Sequence, residues 1–276
     1  MTDTGNEVIL RVEDLRVRYE KSRSIWGTPR YSEVVKGVSF DIRRGETFGL
    51  VGESGSGKST ISKAILRQIP VIGGTISFEG ERITDWKEKN IPLSYRRAVQ
   101  VVFQSPRLSL NTRMLARDTV AEAVSFHLGL RGAELGRQVD MLFDDVGLPR
   151  YLGDRYPDEL SGGQQQRVAI ARALACDPRM LICDEAVSAL DVSTQAQVIA
   201  LLRRLQQERG LSYLFISHDL GVVRNLCHSV GVLQHGKFTD IGSVSDVFER
   251  PANQYTRDLL DAIPRLPGRM APIGAV

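Results

Sequence analysis

Nine consecutive residues, Gly52-Glu53-Ser54-Gly55-Ser56-Gly57-Lys58-Ser59-Thr60, carry what is needed to hold a chain of phosphates. They satisfy the pattern G-x-x-x-x-G-K-[ST] at every fixed position. Glycines let the loop take backbone angles that other residues resist. Successive N–H groups can then turn inward on an anion, and the N-terminus of a following helix adds favourable partial charge. Lys58 supplies a point charge for the outer phosphates and Ser59 a hydroxyl for Mg²⁺. The strand-like run Thr47–Val51 before the loop and the helix-like run Ile61–Arg67 after it give the motif its required context. The chemistry is recognition of a nucleoside triphosphate.

Two further groups of residues suit that chemistry. Asp184-Glu185 ends an apolar, strand-like run, Met180-Leu181-Ile182-Cys183. In phosphate-loop NTPases an acidic residue there holds Mg²⁺, directly or through water, and can help to place a nucleophile. Adjacent carboxylates allow a division of labour, with Asp184 serving the metal and Glu185 polarising the attacking water. Leu160-Ser161-Gly162-Gly163-Gln164 precedes a helical run from Gln165 to Ala175. A serine and two glycines before a helix make a second anion-binding terminus, this one without a lysine. One nucleotide seldom needs two such termini from one chain. A second copy, or a relative, could bring this terminus to the γ-phosphate of the first site in a head-to-tail sandwich.

The elements that must position these groups alternate in type. Val8–Tyr19 reads as a strand, Glu20–Ser32 as a polar inserted loop, and Val34–Ile42 as a returning strand. Thr75–Phe78 is a short strand with a hairpin turn at Glu79-Gly80-Glu81, and Val99–Phe103 is a buried-type strand ending at Gln104. From Pro106 to about Pro157 strands give way to helical periods over 119–128 and 135–146. The second of these places Leu135, Val139, Leu142, Phe143 and Val146 on one face. Strands then resume at 180–183, 213–217 and 229–234, with a helix over Val192 to about Arg209 between the first two. Strands alternating with helices predict an α/β fold with a largely parallel sheet. The tail from Pro264 onward is expected to be loosely ordered.

Composition narrows the function further. A length of 276 residues, 42% hydrophobic and 25% charged, is that of an ordinary globular chain with ample core. A formal charge of +3, without a basic tract carrying interleaved aromatics, argues against nucleic acid. Cys176, Cys183 and Cys227 are scattered and form no metal-ligand set, and a reducing compartment is the simplest reading. The polar N-terminus is no signal peptide. No apolar run approaches the roughly 20 residues that span a bilayer, so a membrane role would come through a partner. His127, His228 and His235 have no ligand spacing and are read as packing or surface residues.

Taken in order over about residues 8–245, these motifs resemble those of an ATP-binding cassette (ABC) ATPase. Gly52–Thr60 resembles its Walker A motif, Gln104 the Q-loop glutamine, and Leu160–Gln164, followed by Gln166-Arg167, the signature motif. Met180–Glu185 resembles the Walker B strand with its catalytic glutamate, Ser188-Ala189-Leu190-Asp191 the D-loop, and His218 the switch histidine. The resemblance implies a P-loop NTPase fold of the ABC-ATPase type: a mostly parallel core sheet, an antiparallel β subdomain and a helical subdomain. Residues 1–250 would form one ATPase domain, with the helical subdomain inserted at about 106–175, and residues 251–276 a C-terminal extension. Tyr19 would stack on adenine, with Tyr31 as competitor. Lys58 and the loop amides of Gly52–Thr60 would hold the phosphates of ATP. Ser59 and Gln104 would ligate Mg²⁺, with Asp184 nearby. Ser161 and Gly163, flanked by Gly162 and Gln164, would contact the ATP of a partner subunit, with Asp191 beside that interface. Glu185 and His218 would position the water and sense the γ-phosphate.

Two segments resemble oligopeptide and dipeptide importer ATPases in particular: Ser105–Met114, which is similar to their S-L-N-P-R-M stretch, and Pro251–Pro264, which is similar to their H-P-Y-T-R-x-L-L-x-A-I-P extension. Arg155-Tyr156-Pro157 before the signature also fits. The chain departs at Ser105, Thr112 and Gln165, where aspartate, proline and arginine are usual, and it lacks the cysteine-rich iron–sulfur motif of some relatives, so no cluster is expected. The implied function is the energy-coupling ATPase of a peptide-type importer. It would lie peripherally on the cytoplasmic face of the plasma membrane. Its partners would be two transmembrane permease subunits, a second ATPase or a second copy of itself, and indirectly an extracytoplasmic binding protein. A soluble cassette without a transport role, such as a component of a phosphonate-cleaving complex, is the alternative.

Overall fold

The computed structural model describes residues 7–22 and 30–262. Its first strands are β1 (Val8–Ser22), β2 (Arg30–Arg43), β3 (Thr47–Val51), β4 (Gly73–Phe78) and β5 (Glu81–Arg82). They are followed by β6 (Val99–Phe103), β7 (Met180–Asp184), β8 (Ser212–Ile216), β9 (Ser229–Gln234) and β10 (Lys237–Ser243). The helices are α1 (Lys58–Ile65), α2 (Leu93–Ala98), α3 (Pro106–Ser109), α4 (Ala116–Leu128) and α5 (Gly132–Asp145). After them come α6 (Gly162–Leu174), α7 (Val192–Arg209), α8 (Leu220–Leu226), α9 (Val244–Glu249) and α10 (Gln254–Asp261).

Two sheets result. One is antiparallel, in the order β2-β1-β4-β5; the other runs β10-β9-β3-β8-β7-β6. In the second, β9, β3, β8, β7 and β6 are mutually parallel, and β10 closes the edge as an antiparallel hairpin with β9. The central parallel strands β3, β7 and β8 are mostly apolar because both their faces are covered. Met180, Ile182, Leu214, Ile216, Phe48 and Leu50 point into a core shared with the antiparallel sheet and with Ile61 and Ile65 of α1. The alternate residues, Leu181, Cys183, Tyr213, Phe215 and Val51, point into a second core with α6, α7 and α8. Helices α3 to α6 are interposed between β6 and β7, and the predicted face of α5 (Val139, Leu142, Phe143, then Val146) is buried in that second core.

The hairpin of β1 and β2 differs from expectation. Glu20–Ser22 and Arg30–Ser32, read as loop from their polarity, continue the two strands, with Glu20 opposite Tyr31 and Tyr19 opposite Ser32. Backbone pairing to a neighbour sustains a strand whose side chains are not apolar. The turn at Glu79-Gly80 is as expected, both residues having positive φ (50° and 79°). The tail from Pro264 lies outside the described residues.

Candidate active site

Parallel strands end at one edge of their sheet, and ligands of open α/β sheets bind outside those carboxyl ends. The register makes this concrete. Phe103, Asp184, Ile216 and Leu50 are successive partners across β6, β7, β8 and β3. Immediately past that row come Gln104, Glu185, Ser217-His218 and the loop from Gly52 to Thr60. Four motifs separated by up to 166 positions in the chain (218 − 52) therefore converge on one edge.

The loop is shaped by close backbone approach. At Gly52, φ is +148° and a Cβ would meet the Leu233 carbonyl oxygen at 2.1 Å, so only glycine fits. Helix α1 opens at Gly57 with no side chain capping it, which leaves its first N–H groups free of the usual competitor for an anion. The Ser56 hydroxyl is buried without a hydrogen-bond partner in the loop. Lys58 is 5% exposed, and its Nζ donates to the Gly52 and Glu53 carbonyls at 2.7 and 2.8 Å. Burial lowers the pKa of its ammonium from the usual lysine value, against the pull of Glu185 and Asp184. A buried ammonium, an orphaned hydroxyl and an uncapped helix start together suit a polyphosphate.

Ser59 Oγ lies 3.4 Å from Asp184 Oδ1, and Ser62 Oγ lies 3.5 Å from Oδ2. Burial raises the pKa of the Asp184 carboxyl from its usual value, and the two hydroxyls oppose the shift. Among the described residues no three or more His, Cys, Asp or Glu side chains form a metal cage. A hydroxyl beside one carboxylate is the donor set expected for Mg²⁺, which keeps several waters and takes its remaining oxygens from substrate phosphates. Ser62 was not singled out in the sequence; its position one turn after Ser59, on the same face of α1, was the available signal.

Glu185 has φ +50°, in the left-handed region that non-glycine residues seldom adopt. Its N–H donates to the Ile216 carbonyl at 2.9 Å, and its own carbonyl accepts from the N–H and hydroxyl of Ser188 at 3.1 and 3.0 Å. The strained residue is thus pinned on both sides, which fixes the direction of its side chain. Oε2 of that side chain is 3.6 Å from Nδ1 of His218.

Ser161–Gln164 lies elsewhere. Ser161 caps α6, accepting from the Gln164 N–H at 3.3 Å, while its own N–H donates to Gln164 Oε1 at 2.9 Å. Both signature glycines are therefore inside the first turn, three residues earlier than the expected helix start. Ser161, Gly163 and Gln164 line a cleft of about 250 Å³ with Thr194 and Gln197 of α7, and no residue of the 52–60 loop borders it. Asp191 caps α7, accepting from the N–H and hydroxyl of Thr194 at 2.9 and 2.6 Å. Tyr19 and Tyr31, being on adjacent rungs of the hairpin, face opposite sides. Arg18 covers the Tyr31 ring at 4.0 Å, whereas Tyr19 shares its side of β1 with Val17, which is buried in the core that includes α1.

Comparison with known proteins agrees with this layout. A family model described as ABC transporter matches residues 35–188, more than half of the chain. The chain belongs to the ABC transporter family. It is 44% identical over 265 residues to the oligopeptide transport ATP-binding protein OppF of Streptococcus mutans, covering 96% of this chain and 84% of that protein. Among solved structures, cbiO1 from Clostridium perfringens, part of the ABC transporter complex cbiONQ, aligns with TM-score 0.77 and 30% identity over 89% of this chain and 92% of that one. The ATP-binding cassette MJ0796, in a dimeric post-hydrolysis state bound to ADP and Pi, aligns with TM-score 0.73 and 27% identity over 85% and 98% of the two chains. The expected ABC-ATPase fold is therefore borne out, and the chain is an ATPase of that family. Within this ABC cassette His228 has a structural part, its Nδ1 accepting the Thr47 N–H at 3.1 Å. Cys183 is a buried filler whose thiol burial pushes up to about 12. No helix among the described residues is long and apolar enough to cross a membrane.

Proposed function

We propose that this ABC ATPase is the energy-coupling subunit of a peptide-type importer, working peripherally at the cytoplasmic face of the membrane with two permease subunits. The observation that carries the reading is the convergence of Lys58, Asp184, Glu185 and His218 on one sheet edge, in a chain closely similar to an oligopeptide transport ATP-binding protein. The loop amides and Lys58 bind the phosphates of ATP, and Tyr19, on the side of the hairpin facing the α1 core, stacks on adenine. Ser59 and Gln104 would hold Mg²⁺ beside Asp184, and the ion supplies charge neutralisation at the β- and γ-phosphates. Glu185 orients and polarises the attacking water, and His218 reports on the γ-phosphate. The second terminus, at Ser161 and Gly163 with Asp191 nearby, borders no part of this chain's own phosphate loop. It completes the site of a partner cassette, either a second copy or a related ATPase. An extracytoplasmic binding protein delivers the peptide to the permease.

Gentle solubilisation and affinity purification of the chain from its own cells tests this. Recovery with two multi-span membrane proteins is expected. Recovery only from the soluble fraction, with enzymes, overturns the importer reading in favour of a cassette without a transport role.

A further inference from the structure

The C-terminal helix reaches back to the phosphate loop. The Tyr255 hydroxyl on α10 accepts the N–H of Glu53 at 3.1 Å, across 202 positions of sequence. Glu53 is held from its other side too, because its carbonyl accepts from Lys58 Nζ at 2.8 Å. Unlike the other amides of the loop, the Glu53 N–H is thereby committed to a side chain of this protein. We infer that Tyr255 is a positioning residue for the phosphate loop, so that affinity for the nucleotide depends on the seating of the C-terminal helix.

The helix is well placed for this. Asp240 of β10 accepts the Ala252 N–H at 2.8 Å, the Asn253 N–H at 3.2 Å, and the Thr256 hydroxyl. Asn253 caps the helix by accepting the Tyr255 N–H at 2.9 Å, and Arg257 bonds the Ala252 carbonyl at 2.7 Å. Thr256 is 2% exposed. The antiparallel edge strand β10 thus fixes α10, and α10 fixes the first turn of the loop. Burial pushes the Tyr255 phenol up from its usual value, so it stays a neutral hydroxyl throughout the physiological range.

The inference rests on the loop's being the ATP site, and the test separates the two. A non-hydrolysable ATP analogue is titrated into the full chain and into the Tyr255→Phe and Tyr255→Leu variants. One neutral hydrogen bond predicts about fivefold weaker binding for both variants. In hydrolysis assays KM rises by a similar factor while kcat at saturation changes less than twofold. Hydrogen exchange at the Glu53 amide quickens, and the melting temperature of the Phe variant stays at the parent value. If the parent chain binds no analogue, the nucleotide reading itself fails. If the parent binds and the Phe variant matches it within 1.5-fold, the positioning role is overturned. It is equally overturned if only the Leu variant weakens, since the ring's packing alone would then explain the contact.

Discussion

His218 Nδ1 stands 3.6 Å from Glu185 Oε2, although the two residues leave different strands and are separated by 33 positions (218 − 185). Because β7 and β8 pair in register with Asp184 opposite Ile216, the residues that follow are delivered to one place. Replacing Glu185 with Gln keeps the shape and the pinned backbone but removes the charge that polarises water. Turnover should fall by about 10²–10⁴-fold with ATP affinity nearly unchanged, and the variant should accumulate as an ATP-bound dimer on sizing. Near-normal hydrolysis by this variant would sink the assignment of Glu185.

Lys58 makes the only ammonium contacts described for the Gly52 and Glu53 carbonyls. Lys58→Ala removes a charge-assisted contact to phosphate worth about 1.5–3 kcal/mol. ATP binding, read by calorimetry, should weaken roughly 10- to 150-fold.

The same residue predicts a pH dependence. Its pKa is lowered by burial, and the phosphates bind its charged form. The charged fraction falls as pH rises through that lowered value, so affinity declines on the alkaline side before an ordinary lysine would titrate. A binding titration against pH should reveal this limb in the parent protein. In Lys58→Arg, whose guanidinium does not titrate there, the limb should vanish, whatever the overall affinity.

At the start of α6, Gly163 packs on α7 so closely that a Cβ would meet Thr194 Cγ2 at 2.3 Å. Thr194 cannot swing away, since Asp191 holds both its N–H and its hydroxyl. Gly163→Ala should therefore destabilise the fold by about 1–3 kcal/mol through overpacking, seen as a lower urea midpoint. Adding Thr194→Ser, which deletes the offending methyl and keeps the hydroxyl, should recover most of the loss. A midpoint unmoved by the single substitution would contradict the close approach.

What local chemistry encodes was legible in the chain. Met180–Cys183 and Tyr213–Ile216 are apolar runs because both faces of their sheet are covered. Helix α7 begins after Asp191 and ends before Gly210 because a side-chain cap and a left-handed glycine (φ 64°) mark its ends within a few residues. The phosphate loop, Asp184 and the capping serine of α6 could likewise be named from their neighbours. That the phosphate loop, Asp184, Glu185 and His218 serve one nucleotide was legible only through the family resemblance, and the contacts by which they meet were decided by the tertiary structure. The paired extension of β1 and β2 through polar residues, the half-buried edge strand β10, the approach of His218 to Glu185, and the reach of Tyr255 to Glu53 all depend on strand order and crossover packing. Caps, glycines and hydrophobic periods act over one or two turns of chain and leave their mark in sequence. A contact across 202 residues is set by the sum of many buried surfaces, and no single stretch records it.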